Sequence, residues 1–270
     1  MVGLVVPWAA TACDRLGDPH TRGERYLKRG EYEQAVAVYT EAIDRGHNLA
    51  IAYANRCYAY ENLNQYEEAI HDCTESLKLQ PDDHEVLNNR GVSYLGLRRV
   101  DEAIADFDAA IAQQAEYPEA YANRGRAYIS LEDYDRAIED LTWVIEYPQS
   151  EPPALAEAYG NRGLAYESLG DDEKAIADYG QAIELTGDPQ AYFNRGMLHY
   201  TLGYFDKAYD DFTAVVGHAD PNDDLYFMAK QQAEFLENRP KGFDPRTGAT
   251  AAPTSEGDAV DASPTPPAGG

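Results

Sequence analysis

Apolar and small residues along this chain fall at helical spacing in paired segments, each pair split by a short polar turn, and the pairs recur. An arginine marks the same point in every copy. Arg22, Arg56, Arg90, Arg124, Arg162 and Arg195 stand 34, 34, 34, 38 and 33 residues apart. Gly follows each of them except in the second copy, which has Cys57. Twelve residues on comes Ala35, Ala69, Ala103, Ala137, Ala175 or Ala208. Four further on stands a large side chain, Tyr39, Phe107, Leu141, Tyr179 or Phe212, with Cys73 as the exception. Positions four apart share one helix face, and Gly in the preceding helix lets two backbones approach. Each copy therefore predicts an antiparallel helix pair. A lone pair cannot bury its apolar face, so the pairs must stack into a continuous core.

The Gly, Tyr, Ala and aromatic columns, with the terminal Pro81, resemble the tetratricopeptide repeat family over about residues 16–221. The predicted architecture is all-α: a right-handed α-solenoid of six such helix pairs with a C-terminal capping helix and a disordered tail. Residues 1–15 form a candidate signal segment, 16–221 the solenoid, 222–238 the capping helix and 239–270 the tail. "LYFMAKQQAEFLEN" reads as the closing amphipathic helix, capped by Asp223 or Asp224. The tail is dominated by Pro, Gly, Ala, Thr and Ser. Pro19, where an aromatic is usual, predicts a short or frayed first helix. Pro148, Pro152 and Pro153 in the lengthened fourth copy predict a broken helix and a protruding loop.

The resemblance implies a concave groove lined by the first helix of each copy. It places Tyr58, Glu61, Asn88, Val92, Arg126, Ile129, Leu164, Phe193, Met197 and Tyr200 near that groove. Asn55, Asn89, Asn123, Asn161 and Asn194 precede the arginines, and their amides either form a ladder for an extended peptide backbone or cap and bridge within their own repeats. Members of the family that clamp terminal carboxylates use several groove lysines. Here Lys28 and Arg126 are the only cations in such positions, so a segment with apolar and basic residues fits better. A second column, Asp72, Asp106, Asp140, Asp178 and Asp211, is expected to pair with the arginines, within a copy or across to its neighbour. The first copy has Val38 there. Independent solvated charges are the other reading.

Net charge is −26 and the pI about 4.4, which disfavours a phosphate backbone as partner. No Gly-rich phosphate loop with its Lys, Gly-x-Ser-x-Gly, paired CxxC or HExxH motif occurs. His71 and His84 fall in successive copies without a third ligand, and "DPNDDLYFMAKQ" lacks the central Gly and closing Glu of a calcium loop. No enzyme, metal, cofactor or small-molecule substrate is expected. The expected role is a scaffold for protein partners.

"MVGLVVPWAATACDRLG" is apolar up to Cys13, and its "ATAC" resembles the bacterial lipobox, in which the cysteine carries lipid. No Lys or Arg precedes the run. Two readings stand: a lipid-anchored adaptor at the bacterial envelope, or a cytoplasmic interaction module in regulation or chaperoning. Cys57 and Cys73 lie on facing columns of one helix pair. They read either as a disulfide, stable in an oxidising compartment, or as two small reduced core residues.

Overall fold

The computed structural model describes residues 18–239, 243–244, 246 and 249–250, and thirteen helices lie among them. They pair as α1 (Pro19–Leu27) with α2 (Tyr32–Asp44), α3 (Leu49–Asn62) with α4 (Tyr66–Leu79), and α5 (His84–Gly96) with α6 (Val100–Gln113). Then follow α7 (Pro118–Ser130) with α8 (Tyr134–Glu146), α9 (Pro152–Ser168) with α10 (Asp172–Thr186), and α11 (Pro189–Leu202) with α12 (Phe205–His218). Helix α13 (Asp224–Glu237) closes the set, N-capped by the Asp223 carboxylate on the Leu225 amide. The candidate signal segment lies outside the described residues, as does most of the tail, where Phe243–Asp244 pairs antiparallel with Ala249–Thr250.

The chain divides into two units, Met1–Ala191 and Tyr192–Gly270. In the first, five hairpins stack in order. The two helices of a hairpin pack on each other, each second helix packs on the next first helix, and consecutive first helices also touch. The second unit holds the body of the sixth hairpin, with α13 packed on α12. The fold is thus an α-solenoid of six helix pairs and a closing helix. Turns within hairpins share one geometry, with a left-handed residue at Gly30, Asn64, Arg98, Glu132, Gly170 and Gly203. That residue lets the chain reverse while the next amides bond back to the helix end, as Gln65 N–H does to Tyr60 O at 2.9 Å.

The glycine column sets the spacing within a hairpin. A Cβ on Gly91 would stand 2.5 Å from the Phe107 ring, which is wholly buried on α6. Gly160 on α9 has nothing within 4 Å of that position. Gly91→Ala is therefore expected to destabilise by about 1–2 kcal/mol, overpacking outweighing the gain in helix propensity. Gly160→Ala should stabilise by about 0.5–1 kcal/mol. Urea unfolding of the two variants checks this; changes of the same sign would contradict it. In the second hairpin Cys57 and Cys73 take the Gly and aromatic places. They form a disulfide with Cα atoms 5.4 Å apart, and both residues are fully buried.

Arg56, Arg90, Arg124 and Arg162 each bind their own hairpin and the one before. Arg124 donates from Nε and Nη2 to the Asp140 carboxylate at 2.8 and 2.7 Å, and from Nη1 to Asp108 of the preceding hairpin at 2.6 Å. Arg90 repeats this with Asp106 and Thr74, and Arg162 with Asp178 and Thr142. Arg56 reaches Asp72 and Thr40 in the same way. In the second unit Arg195 holds Asp211, which His199 also meets at 2.9 Å. The hydrogen bonds that Arg124 donates to Asp140 hold its guanidinium above its ordinary pKa despite burial. Tyrosines three residues before and four after flank Arg56, Arg124 and Arg162, with Tyr121 and Tyr128 centred 5.3 and 5.9 Å from Arg124, and Arg90 and Arg195 keep one each. That accounts for much of the tyrosine in the chain.

One column gains a member, and one expectation needs correction. Arg22 has a partner despite Val38, because Glu41, almost one helical turn further along α2, meets it at 3.5 Å. Pro152 and Pro153 start α9 rather than break a helix, since the first turn leaves its amides unbonded anyway. The extra residues lengthen α9 to 17 residues, and the connection is only 147–151. Helix α1, at 9 residues, is the shortest of the thirteen.

Candidate groove on the first helices

In the first unit α1, α3, α5, α7 and α9 lie side by side, so residues recurring on their outer faces line one surface. Two recesses open along it. One, of about 450 Å³, lies between α3 and α5 and is floored by Ile51, Ala54 and Val86, with the Asn55 and Asn89 amides along it. The other, of about 620 Å³, runs from α5 over α7 to α9 and includes Val92, Leu95, Ile129, Arg126 and Asn161. Asn89 and Val92 sit three residues apart on α5, roughly 4.5 Å along its axis, so the recesses are neighbours. Large apolar side chains stay exposed on this face, including Ile51 at 47%, Tyr58 at 39% and Leu164 at 38%.

The asparagines divide by surroundings. Asn123 on α7 donates to the Asn88 carbonyl on α5 at 3.0 Å, tying neighbouring hairpins together, and Arg126 leans on Asn123 and Glu157 at 3.4 and 3.6 Å. Asn55, Asn89 and Asn161 face the recesses. In the second unit Phe193 packs against Phe212 and Tyr200 against Phe205, each ring meeting that unit's core, while Met197 is exposed at 36%. Asn194 lies beside Arg195 on α11 and is half-buried. Lys28 is exposed at the end of α1.

Electrostatics sharpen the smaller recess. Burial pushes the Glu61 carboxyl up to about 7, and its Oε2 is sealed from water without a hydrogen-bond partner. Burial, reinforced by the charges of Glu119, Glu85, Asp83 and Glu61, drives the Tyr117 hydroxyl well above its ordinary value. Tyr58 is raised too, by burial first and then by Tyr32 and Glu61. Sequence reasoning placed Glu61 near the groove but missed Asp83, Glu85 and Tyr117, which sit at the joint between copies. Among the described residues no group of three His, Cys, Asp or Glu is placed to hold a metal ion, and no helix is long and apolar enough to cross a membrane.

Models described as tetratricopeptide repeat match residues 23–49, 50–83, 84–117, 118–149, 156–186 and 189–217. No curated protein matches the chain. Among solved structures, a tetratricopeptide repeat protein from Parabacteroides merdae superposes with a TM-score of 0.62 at 22% identity, over 82% of this chain and 83% of that one. A thermophilic TPR protein from Thermus thermophilus gives 0.59 at 22% identity, covering 68% and 98%. YrrB, described as a TPR protein with an unusual peptide-binding site, gives 0.52 at 21% identity, covering 72% and 97%. At these identities the likeness is one of fold.

Proposed function

Because the chain belongs to the tetratricopeptide repeat family, we propose that it is a non-enzymatic protein-interaction scaffold whose first-unit groove holds an extended segment of a partner. The observation that carries this is the pair of adjoining recesses. Apolar side chains left in water alternate there with amides that can bond a peptide backbone whatever its sequence. YrrB, of the same fold, is described as having a peptide-binding site. The groove's lining favours apolar anchors and basic residues over an acidic terminus, for Arg126 is already engaged with Glu157. The binding is reversible and brings partners together; no chemical step is required of the chain.

A triple variant, Tyr58→Ala, Asn89→Ala and Leu164→Glu, tests the reading. Against a partner captured by the native chain, its affinity should fall at least about tenfold with helicity unchanged. Phe227→Ala with Phe235→Ala, on the exposed face of α13, should leave capture intact. Equal loss in both variants would remove the groove from the account.

The same proposal places the scaffold at the bacterial envelope, tethered through lipid on Cys13. Support comes from the lipobox-like "ATAC" and from the Cys57–Cys73 disulfide, which persists in oxidising compartments. Fatty-acid labelling of the native chain, lost in Cys13→Ser, is the expected result. An unlabelled chain in the cytoplasmic fraction would favour an interaction module there.

A further inference from the structure

We propose that the recess between α3 and α5 receives a lysine or arginine side chain of the docked segment, with Asp83 and Glu85 as its acceptors and the Tyr58 and Tyr117 rings as its walls. This rests on the groove reading above and names the partner chemistry of one part of it. The recess is built from both sides. Tyr58 comes from α3, Asp83 and Glu85 from the start of α5, and Tyr117 from the residue before α7.

Its charge is uncompensated. Some exposed acids meet a basic neighbour on their own helix or at its cap, as Glu75 meets Lys78, Glu102 meets Arg99 and Asp171 meets Lys174. None of Glu61, Asp83 and Glu85 has an ion-pair partner among the described residues. Asp83 uses one oxygen on the Val86 amide at 3.2 Å, and the rest of its carboxylate remains available. Glu61, whose charge acts on both the Tyr58 and Tyr117 hydroxyls, has its carboxyl pushed up to about 7 by burial, and a nearby cation would favour its ionised form. A cation beside tyrosine rings gains from their π faces as well, while its aliphatic stem covers Ile51 and Val86. A bare metal ion fits less well, since these carboxylates do not converge as a ligand set.

The groups facing Glu61 set the pH response. On its own helix there is Tyr58. Tyr117, from the connection before α7, feels its charge too; Asp83, Glu85 and Glu119 act on that same hydroxyl, and His84 meets the Tyr117 ring edge-on at 5.0 Å. Glu61 gains its charge as pH rises through about 7, so affinity for a cationic side chain should rise over the same interval.

Three acetylated, amidated peptides of about a dozen residues, with alternating Leu and Thr around a central Lys, norleucine or Glu, provide the test. Binding to the full chain is read by fluorescence anisotropy near 0.15 M salt. The Lys peptide should bind about tenfold tighter than the norleucine peptide, and the Glu peptide weakest. In Glu61→Gln with Glu85→Gln the Lys advantage should collapse while norleucine binding holds. Affinity of the Lys peptide should climb from about pH 6 to 8, and climb less in Glu61→Gln. Equal binding of all three peptides overturns the cation subsite and leaves the groove standing. A Lys advantage unchanged in the double variant also overturns it, pointing to the acidity of the whole chain. Binding of none overturns the groove reading and this one with it.

Discussion

Opening the Cys57–Cys73 disulfide is expected to destabilise the first unit by about 3 kcal/mol, because it frees a loop of some 15 residues in the unfolded chain. The two residues are separated by 16 positions and are fully buried at the contact between α3 and α4. Reduction leaves two thiols where the other hairpins put a ring or Leu141 against a glycine, so little packing replaces the lost constraint. Urea unfolding with and without a phosphine reductant should show the midpoint moving by about 1 M. The double variant Cys57→Gly, Cys73→Phe imports the Gly91 and Phe107 pairing of the next hairpin. It should recover much of the loss and make stability insensitive to reductant. Cys73→Phe alone should be worse than reduction, since the Cys57 side chain would then stand against the new ring. Identical curves in oxidised and reduced protein would deny the bond any part in stability.

The second large effect is expected at Arg124. Its guanidinium is 18% exposed and joins two carboxylates, Asp140 in its own hairpin and Asp108 in the one before. Asp140→Ala strips the bidentate partner from a mostly buried charge, and a cost of about 3–5 kcal/mol is expected. Arg124→Ala also removes the contacts with Tyr121 and Tyr128 and isolates Asp140, at similar cost. The double variant should cost clearly less than the sum, by about 1–3 kcal/mol, because the second change removes a charge the first had stranded. Asp108 is 53% exposed, so Asp108→Ala should matter little, within about 1 kcal/mol. Strict additivity of Arg124→Ala and Asp140→Ala in denaturant unfolding would mean the two do not act as a pair.

The helix pairs were legible because their signal is repetition. Six arginines in step, each with a small residue after it and an alanine thirteen places on, leave few ways to fold. The Arg–Asp pairing was legible too, as two columns 16 residues apart. The link between hairpins was not. Thr40, Thr74, Asp108 and Thr142 also recur at 34-residue steps, but a hydroxyl on a second helix reads as ordinary surface until the next hairpin is stacked on it. Glu41 escaped for a related reason, since it is on the same face as Val38 but off the column. The prolines of the fourth copy misled because their effect depends on position: inside a helix they break it, and in the first turn of α9 they begin it.

The groove was read less well. Its asparagine column was visible, yet composition does not tell that Asn123 is spent on Asn88 while Asn89 faces a recess. Nor does spacing reveal the smaller recess, whose walls come from three copies. Tyr117 and Asp83 lie in connections between hairpins, outside the columns that define the repeat. Glu61 shows the same limit. Its raised pKa follows from what surrounds it in three dimensions, not from its neighbours along the chain.

Because Arg56, Arg90, Arg124 and Arg162 each grip both their own carboxylate and an acceptor oxygen 16 or 20 residues upstream, those copies are interchangeable parts. Excising residues 84–117 would bring Arg124 opposite Thr74, an acceptor Arg90 already uses. Descendants of such a gene could gain or shed whole modules by unequal crossing-over and still lock together at the new seam, changing reach without inventing a joint.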